Sequence, residues 1–226
     1  SSDLIISSNK INAGSSAIYN NNLQSIKNLE ETKGNIYSIR AEMLRIVFER
    51  NKSELDEEIN NINALTDEDV KFEKDYLSSP FASTEEKNSY ANYKSDLVKY
   101  TEGRTDIINL VKANNPMEAM RLNLKLDAIR DSMSNNIAKC IEINVKSADK
   151  ANLVNIAQFN KARNSIIIYT SIAFLIILFM AYLLGKNIIN PLNKIKDLAG
   201  RFSRYDFSEI MTITRKDEFG QTGIAL

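Results

Sequence analysis

Ser165–Gly185, SIIIYTSIAFLIILFMAYLLG, is a run of 21 residues without one charged side chain. At ~1.5 Å per residue a helix of this length covers ~31 Å, about the hydrocarbon thickness of a bilayer. Tyr169 and Tyr182 stand near its two ends, where aromatic rings favour the headgroup region. Lys161 and Arg163 flank it on one side and Lys186 on the other. The alternative is the core helix of a soluble protein, which rarely runs so far without a charge. Its position excludes a signal peptide. The rest of the chain must be arranged around a membrane span, with about 164 residues before it and about 41 after. The mean hydropathy of −0.29 conceals this segment.

The remaining composition removes function classes. Lys+Arg and Asp+Glu balance at 29 each, so the chain carries no electrostatic footprint for nucleic acid. There is no His, and Cys140 is the single Cys. That excludes His-dependent triads, His/Cys zinc sites and intramolecular disulfides. No cofactor is expected, and an enzyme is disfavoured because no paired carboxylates stand in a pocket-like context. Seven Gly and three Pro are too few for the turns of an all-β chain.

Residues 1–164 read as helix, broken at Phe48–Ser53, Leu77–Thr84 and Ala113–Pro116. The breaks, near Asn51, Pro80 and Asn115, define helices of roughly 1–48, 53–77, 85–112 and 116–164. Ser83 with Glu86 fits a capping box. Asn115 followed by Pro116 and Glu118 reads as a helix start. Each helix carries a seam at 3–4 spacing: Ile26, Leu29, Lys33, Ile36, Arg40, Met43 and Val47 on the first; Leu55, Ile59, Ile62, Leu65, Phe72 and Tyr76 on the second. The third carries Tyr90, Tyr93, Leu97, Tyr100, Arg104, Ile107 and Val111; the fourth Met120, Leu124, Ile129, Met133, Ile137, Ile141 and Val145. Such spacing suits near-parallel packing, and short connections make neighbours antiparallel, so the fold class is all-α, an up-down-up-down four-helix bundle. The longer outer helices extend beyond the inner two as a stalk. Two stalk helices bury little surface, which predicts a homodimer, and a stalk helix beginning at residue 1 predicts a preceding membrane helix.

After Gly185, residues Ile188, Leu192, Ile195, Ala199 and Phe202 form an amphipathic repeat with Pro191 in its first turn. Phe207, Ile210 and Ile213 make a hydrophobic connector, and Asp217-Glu218-Phe219-Gly220 opens a further helix. Ile188-x-x-Pro191, the heptad, the connector and Asp217-Glu218-Phe219-Gly220 resemble a HAMP domain. Two departures are that Tyr205-Asp206 stands where that family often has Gly-Asp, and that the second HAMP helix is cut at Leu226. The bundle, with Ser38-Ile39-Arg40 on its first helix, resembles the four-helix-bundle ligand-binding domain of bacterial methyl-accepting chemotaxis receptors.

The resemblance implies three parts: residues 1–164 as an extracytoplasmic ligand-sensing bundle, 165–185 as a transmembrane helix and 186–226 as a truncated HAMP module in the cytoplasm. Counting Lys and Arg does not set this orientation, since the 20 residues before the span hold four and the 20 after it five. It further implies location in the cell's inner or plasma membrane and control of a cytoplasmic kinase through a C-terminal domain. The alternatives are the input half of a sensor histidine kinase or cyclase, and a structural tether. The fourth helix, with no Gly or Pro between Pro116 and Gly185, reads as a rod, with a bendable joint at Gly185–Asn190 and signal-transmission residues Gly185, Pro191, Asp217, Glu218 and Gly220.

The candidate ligand residues are Arg40, Arg104, Asp127 and Asp131. Counting from the helix ends puts both arginines ~12–14 Å below the bundle tip and the carboxylates ~16–22 Å below it. The plainer reading is that they pair with each other inside the bundle. The sharper one is a cradle for a small-molecule ligand, a carboxylate among the candidates, or a ligand-loaded binding protein. The tyrosines of the third helix and Cys140 read as core, and Lys33 as snorkelling.

Overall fold

The computed structural model describes residues 2–48, 52–208 and 215–225. The expected break at Asn51 and the connector residues Ile210 and Ile213 lie outside them. Described in chain order, α1 is Ser2–Ala17, a π-helical turn follows at Ile18–Leu23, and α2 is Gln24–Phe48. Next come α3 (Lys52–Leu77), α4 (Thr84–Lys112) and α5 (Pro116–Leu184). A second π-helical turn, Gly185–Ile189, precedes α6 (Asn190–Phe202), and α7 is Glu218–Ala225. There is no strand among the described residues. The chain divides into two compact units, Ser1–Ala162 and Arg163–Leu226.

The first unit is an all-α bundle with one core shared by four helices. Ile36, Ile39 and Met43 of α2 meet Ile62 and Tyr76 of α3, Tyr100 and Ile107 of α4, and Met133 and Ile137 of α5. The sequence signals act locally as their chemistry dictates. Ser83 is the N-cap of α4 and accepts from Glu86 N at 3.1 Å. Glu86 does not return the bond to Ser83, as a full capping box would; its carboxylate takes Ala82 N instead, at 2.5 Å. α4 stops because Asn114 adopts φ 58. Asn114 N then bonds Val111 O at 3.0 Å and Asn115 N bonds Leu110 O at 2.8 Å, a Schellman closure. Asn115 starts α5 through its backbone carbonyl, which accepts from Ala119 N at 3.2 Å.

Two seams differ from expectation. On α2 Leu29, Ile36, Met43 and Val47 are buried as the seam has them, but Asn28, Thr32, Asn35, Ile39 and Ile46 share the buried face, leaving Arg40 exposed and Lys33 at the edge. On α5 the buried line is Ala119, Asn123, Leu126, Arg130, Met133, Ile137, Cys140 and Asn144. Met120, Leu124 and Val145 are exposed. The reason is the same in both helices: polar residues hold core positions, which widens the buried face of α2 and turns that of α5 away from Met120, Leu124 and Val145.

Where the bundle thins to α1 and the lower part of α5, a glycine allows close approach. A Cβ at Gly14 would lie 2.2 Å from Asn155 Oδ1, and Asn155 Nδ2 donates to Ser15 Oγ at 3.2 Å. In the second unit the most apolar window of the helix is long enough to cross a membrane, and none of that window is buried. α6 ends in the same Schellman closure as α4, with Tyr205 at φ 59 in the position glycine usually fills. That is the structural counterpart of Tyr205-Asp206 replacing Gly-Asp.

The corrected face of α5 can be tested with one pair of truncations. Leu126→Ala, at a site 3% exposed, should lower stability in urea unfolding by about 2–5 kcal/mol. Leu124→Ala, at a site 59% exposed, should stay within about 0.5 kcal/mol. Equal losses would restore the face read from the apolar spacing.

Candidate ligand cavity and signal-transmission residues

Between α2, α3 and α4 the bundle leaves a cavity of about 110 Å³, with Met133 of α5 at its back. Two of its lining groups are charged and desolvated. Asp69 projects from α3 and accepts from Asn35 Nδ2 at 2.9 Å, while the same amide donates to Leu65 O at 3.3 Å. Arg104, 7% exposed, projects from α4. Its Nη2 reaches Thr66 Oγ1 at 3.5 Å. Thr66 spends its own proton on Ile62 O at 2.8 Å, which leaves a lone pair facing the guanidinium. The Arg104 guanidinium carbon stands 5.7 Å from the centre of the Tyr100 ring. At the rim Lys94 and Glu73 pair at 2.8 Å.

The electrostatics follow from burial. Desolvation lifts the Asp69 carboxyl to about 7, held back by the Asn35 hydrogen bond and Arg104. Burial also lowers the Arg104 pKa, with Tyr100 and Asp69 opposing. The same burial raises the pKa of Tyr93 and of Tyr100. The Tyr100 hydroxyl is buried and has no hydrogen-bond partner. A cationic donor and a carboxylate, each with few partners, therefore face a space of small-molecule size. Such a space can accept an acceptor group at Arg104 and a donor group at Asp69. Among the described residues no cluster suited to a metal ion occurs.

The four predicted ligand residues do not gather here. Arg104 lines the cavity. Arg40 is on the outside of α2 and pairs with Asp127 at 3.4 Å. Asp127 also pairs with Arg130, 3% exposed on the buried face of α5. Arg130 reaches Asn123 Oδ1 at 3.3 Å, and its guanidinium carbon stands 5.9 Å from the centre of the Tyr100 ring. Asp131 is exposed. Arg40 thus meets Asp127 on the exposed side of the bundle and not inside it, and Arg104 meets neither expected carboxylate; Arg130, one turn beyond Asp127, is the buried cation that Asp127 pairs with. Asp69, Asn35 and Thr66 were not selected from sequence. The available signal was an Asp four residues before Glu73 on a helix facing a Tyr-rich one.

In the second unit Gly185 opens the π-helical turn, and a Cβ there would meet nothing within 4 Å. Pro191 is buried at the start of α6. Lacking an N–H, it leaves the Asn187 carbonyl four residues earlier without its α-helical donor. Arg215 Nη2 supplies one at 3.0 Å. Arg215 is held by Asp217, with Nε 3.0 Å from Oδ2, and lies over the Phe219 ring at 5.5 Å. Asp217 caps α7 by accepting from Gly220 N at 3.2 Å. Gly220 is buried where a Cβ would come within 2.2 Å of the Arg215 carbonyl, so the glycine is required. Glu218 is exposed in the first turn of α7. Arg215 joins Asp217, Gly220 and the Pro191 turn, and sequence reading passed over it.

Residues 5–159 match the family model described as a four helix bundle sensory module for signal transduction. A Bacillus subtilis (strain 168) protein named as a sensory transducer, YvaQ, is 24% identical over 177 residues, covering 76% of this chain and 30% of its own length. The chain therefore spans about a third of the length of that relative. No solved structure matches.

A carboxyl whose folded pKa exceeds its unfolded value keeps its proton in the folded state while the unfolded chain loses it. Between the ordinary carboxylate range near 3.8 and about 7, Asp69 therefore makes stability fall as pH rises. Above that window its contribution is flat. Asp69→Asn should remove this slope and raise Tm at pH 8, measured by thermal unfolding of the whole chain in nanodiscs at pH 5 and 8. An unchanged slope would show that Asp69 ionises freely.

Proposed function

The chain belongs to the family of four-helix-bundle sensory modules for signal transduction, and from that premise we propose that it is the input part of a membrane-spanning chemoreceptor. The bundle lies outside the cell and takes a small molecule into the cavity between α2, α3 and α4. The apolar part of α5 crosses the membrane. Residues 186–226 form a HAMP module in the cytoplasm, which acts on a kinase through a C-terminal domain. The observation that carries this reading is the cavity itself, with Arg104 and Asp69 facing a space of about 110 Å³. A ligand with a carboxylate or another strong acceptor satisfies Arg104 better than the 3.5 Å contact to Thr66 does.

The output rests on continuity. Helix α5 runs from Pro116 to Leu184 without a break, and the π-helical turn carries it into α6. A bias applied to α5 reaches α6 as displacement, tilt or rotation. The π-helical turn is the softer joint, since its carbonyls are served by a wider winding and, at Asn187, by Arg215. A coupling of ~1–3 kcal/mol, typical of allosteric proteins, is enough to shift the packing of such a module. The active unit is a homodimer. Ile5, Ile6, Leu153 and Phe159 stand exposed along α1 and the lower part of α5, as do Ile188 in the second π-helical turn and Leu192 on α6. A second copy of each helix covers them.

Thermal-shift measurements on the whole chain in nanodiscs, against a panel of small carboxylic and amino acids, test the cavity. At least one compound should raise Tm, and Arg104→Gln should abolish the shift while Arg40→Gln preserves it. Loss in both variants, or in neither, sinks the assignment of Arg104.

Two further outcomes are expected in a full-length receptor. A cysteine at Asn12 should cross-link between copies quickly in membranes, and failure at every stalk position would refute the dimer. Insertion of four glycines between Lys186 and Ile189 should uncouple output from ligand while ligand binding persists. Intact ligand-dependent output would mean that helix continuity is not the mechanism.

A further inference from the structure

At the end of the bundle opposite Asn114 lies a polar cluster separate from the cavity. Its centre is Glu86, 1% exposed. Oε1 accepts from the Tyr76 hydroxyl at 2.6 Å and from Asn144 Nδ2; Oε2 accepts from Ala82 N at 2.5 Å. Asn144 Oδ1 in turn accepts from Asn22 Nδ2 at 3.4 Å. The Cys140 thiol donates to the Glu86 carbonyl at 3.6 Å. Beside this, Ser79 Oγ donates to Asn20 O at 3.4 Å. The contacts join α3, the α3–α4 loop, α4 and α5 to the π-helical turn Ile18–Leu23, on which Asn20 and Asn22 sit. Directly beyond, α1 and α5 meet at Gly14, Ser15 and Asn155.

All three donors to the carboxylate are neutral groups, so its stabilisation depends on their alignment and on its place in the first turn of α4. A buried carboxylate that loses a donor incurs the desolvation cost of that group. Asn144 is the member on α5, and one residue of slide moves it ~1.5 Å along the axis. A slide of one helical turn, about 5.4 Å, breaks both the Glu86 and the Asn22 bonds. We propose that Glu86 is a register latch, which fixes α5 against the π-helical turn at one setting and makes its displacement a discrete exchange of Asn144 partners. The packed apolar core above it would tolerate a graded shift; the latch does not. Its role in signalling rests on the reading of α5 as the output helix, whereas the register itself is measurable without any output.

The test uses the full chain in membranes with Cys140→Ser, which keeps a donor to the Glu86 carbonyl. One cysteine pair, Ser15→Cys with Asn155→Cys, reports the observed register. Two others, Ser15→Cys with Ala151→Cys or with Phe159→Cys, report α5 one turn to either side. In the parent the first pair should cross-link faster than the displaced pairs. Asn144→Ala, which removes the α5 donor, and Glu86→Gln should each raise the ratio of displaced to in-register rate about fivefold or more, the equilibrium counterpart of one lost buried partner. Ile62→Val, which trims the same core without touching a polar partner, should leave the ratio as in the parent. An unchanged ratio in Asn144→Ala overturns the proposal, as does an equal rise in Ile62→Val. Should Glu86→Gln fail to accumulate, Asn144→Ala decides alone, since it removes the α5 donor and leaves the carboxylate Tyr76 and Ala82 N. A silent ligand panel would bear on the cavity and leave this measurement untouched.

Discussion

Glu86 and the donors that converge on it bind together four helical segments and a loop, tying the α3–α4 corner to distant residues of α5 and of the first π-helical turn. Tyr76 comes from α3, Ala82 from the loop before α4, Asn144 from α5 and, through Asn144, Asn22 from the π-helical turn. Apolar packing is non-directional and leaves the axial setting of near-parallel helices loosely determined. Hydrogen bonds to a closed-in carboxylate are directional and costly to leave unmade. The core therefore supplies cohesion while the polar cluster selects one register among the many that cohesion permits.

The same division explains the opposite region of the bundle. Arg130 is neutralised by Asp127, which Arg40 shares from the outside. Among the described residues Arg104 has no carboxylate within ion-pair distance, and it faces the cavity instead. Asp69 is held by one amide, and desolvation raises its carboxyl to about 7. A chain that satisfies Glu86 so fully yet leaves Arg104 and Asp69 thinly served has two polar sites of different character. The first is complete in itself. The second has room and unspent bonding capacity for a guest.

Helix identity and limits were legible because Ser83, Pro80, Asn115 and Pro116 impose local rules that distant contacts rarely override. The membrane-compatible segment was legible from its composition, and the core tyrosines from their spacing. The facing of α2 and α5 was legible only in part: Leu29, Ile36, Met43 and Val47, and Met133 and Ile137, are buried, whereas nothing in the spacing marks Thr32, Asn35, Asn123, Arg130 and Asn144 as buried too. Arg40 and Ile39 differ by one position, about 100° around a helix, and a polar residue taken as outward-facing is enough to choose the wrong one. Of the expected cradle, Arg104 alone lines the cavity, because its Asp69 and Thr66 neighbours are 35 and 38 residues away in the chain and no local pattern pairs them.

Each π-helical turn holds one residue more than the α-helix around it would, and one residue is about 100° of rotation. The turn at Ile18–Leu23 thus offsets the face that α1 shows from the face that α2 shows, and Gly185–Ile189 does the same between α5 and α6. These are phase shifters in otherwise unbroken helices. A stripe fitted to one set of neighbours is handed over to a stripe fitted to another without a loop and without loss of length. Deleting a single residue from such a turn would leave every side chain's chemistry intact and turn one half of the helix to face the wrong partner. In this chain the bookkeeping of angle is kept in two short segments, and the long helical stretches between them are free to be optimised for what surrounds each.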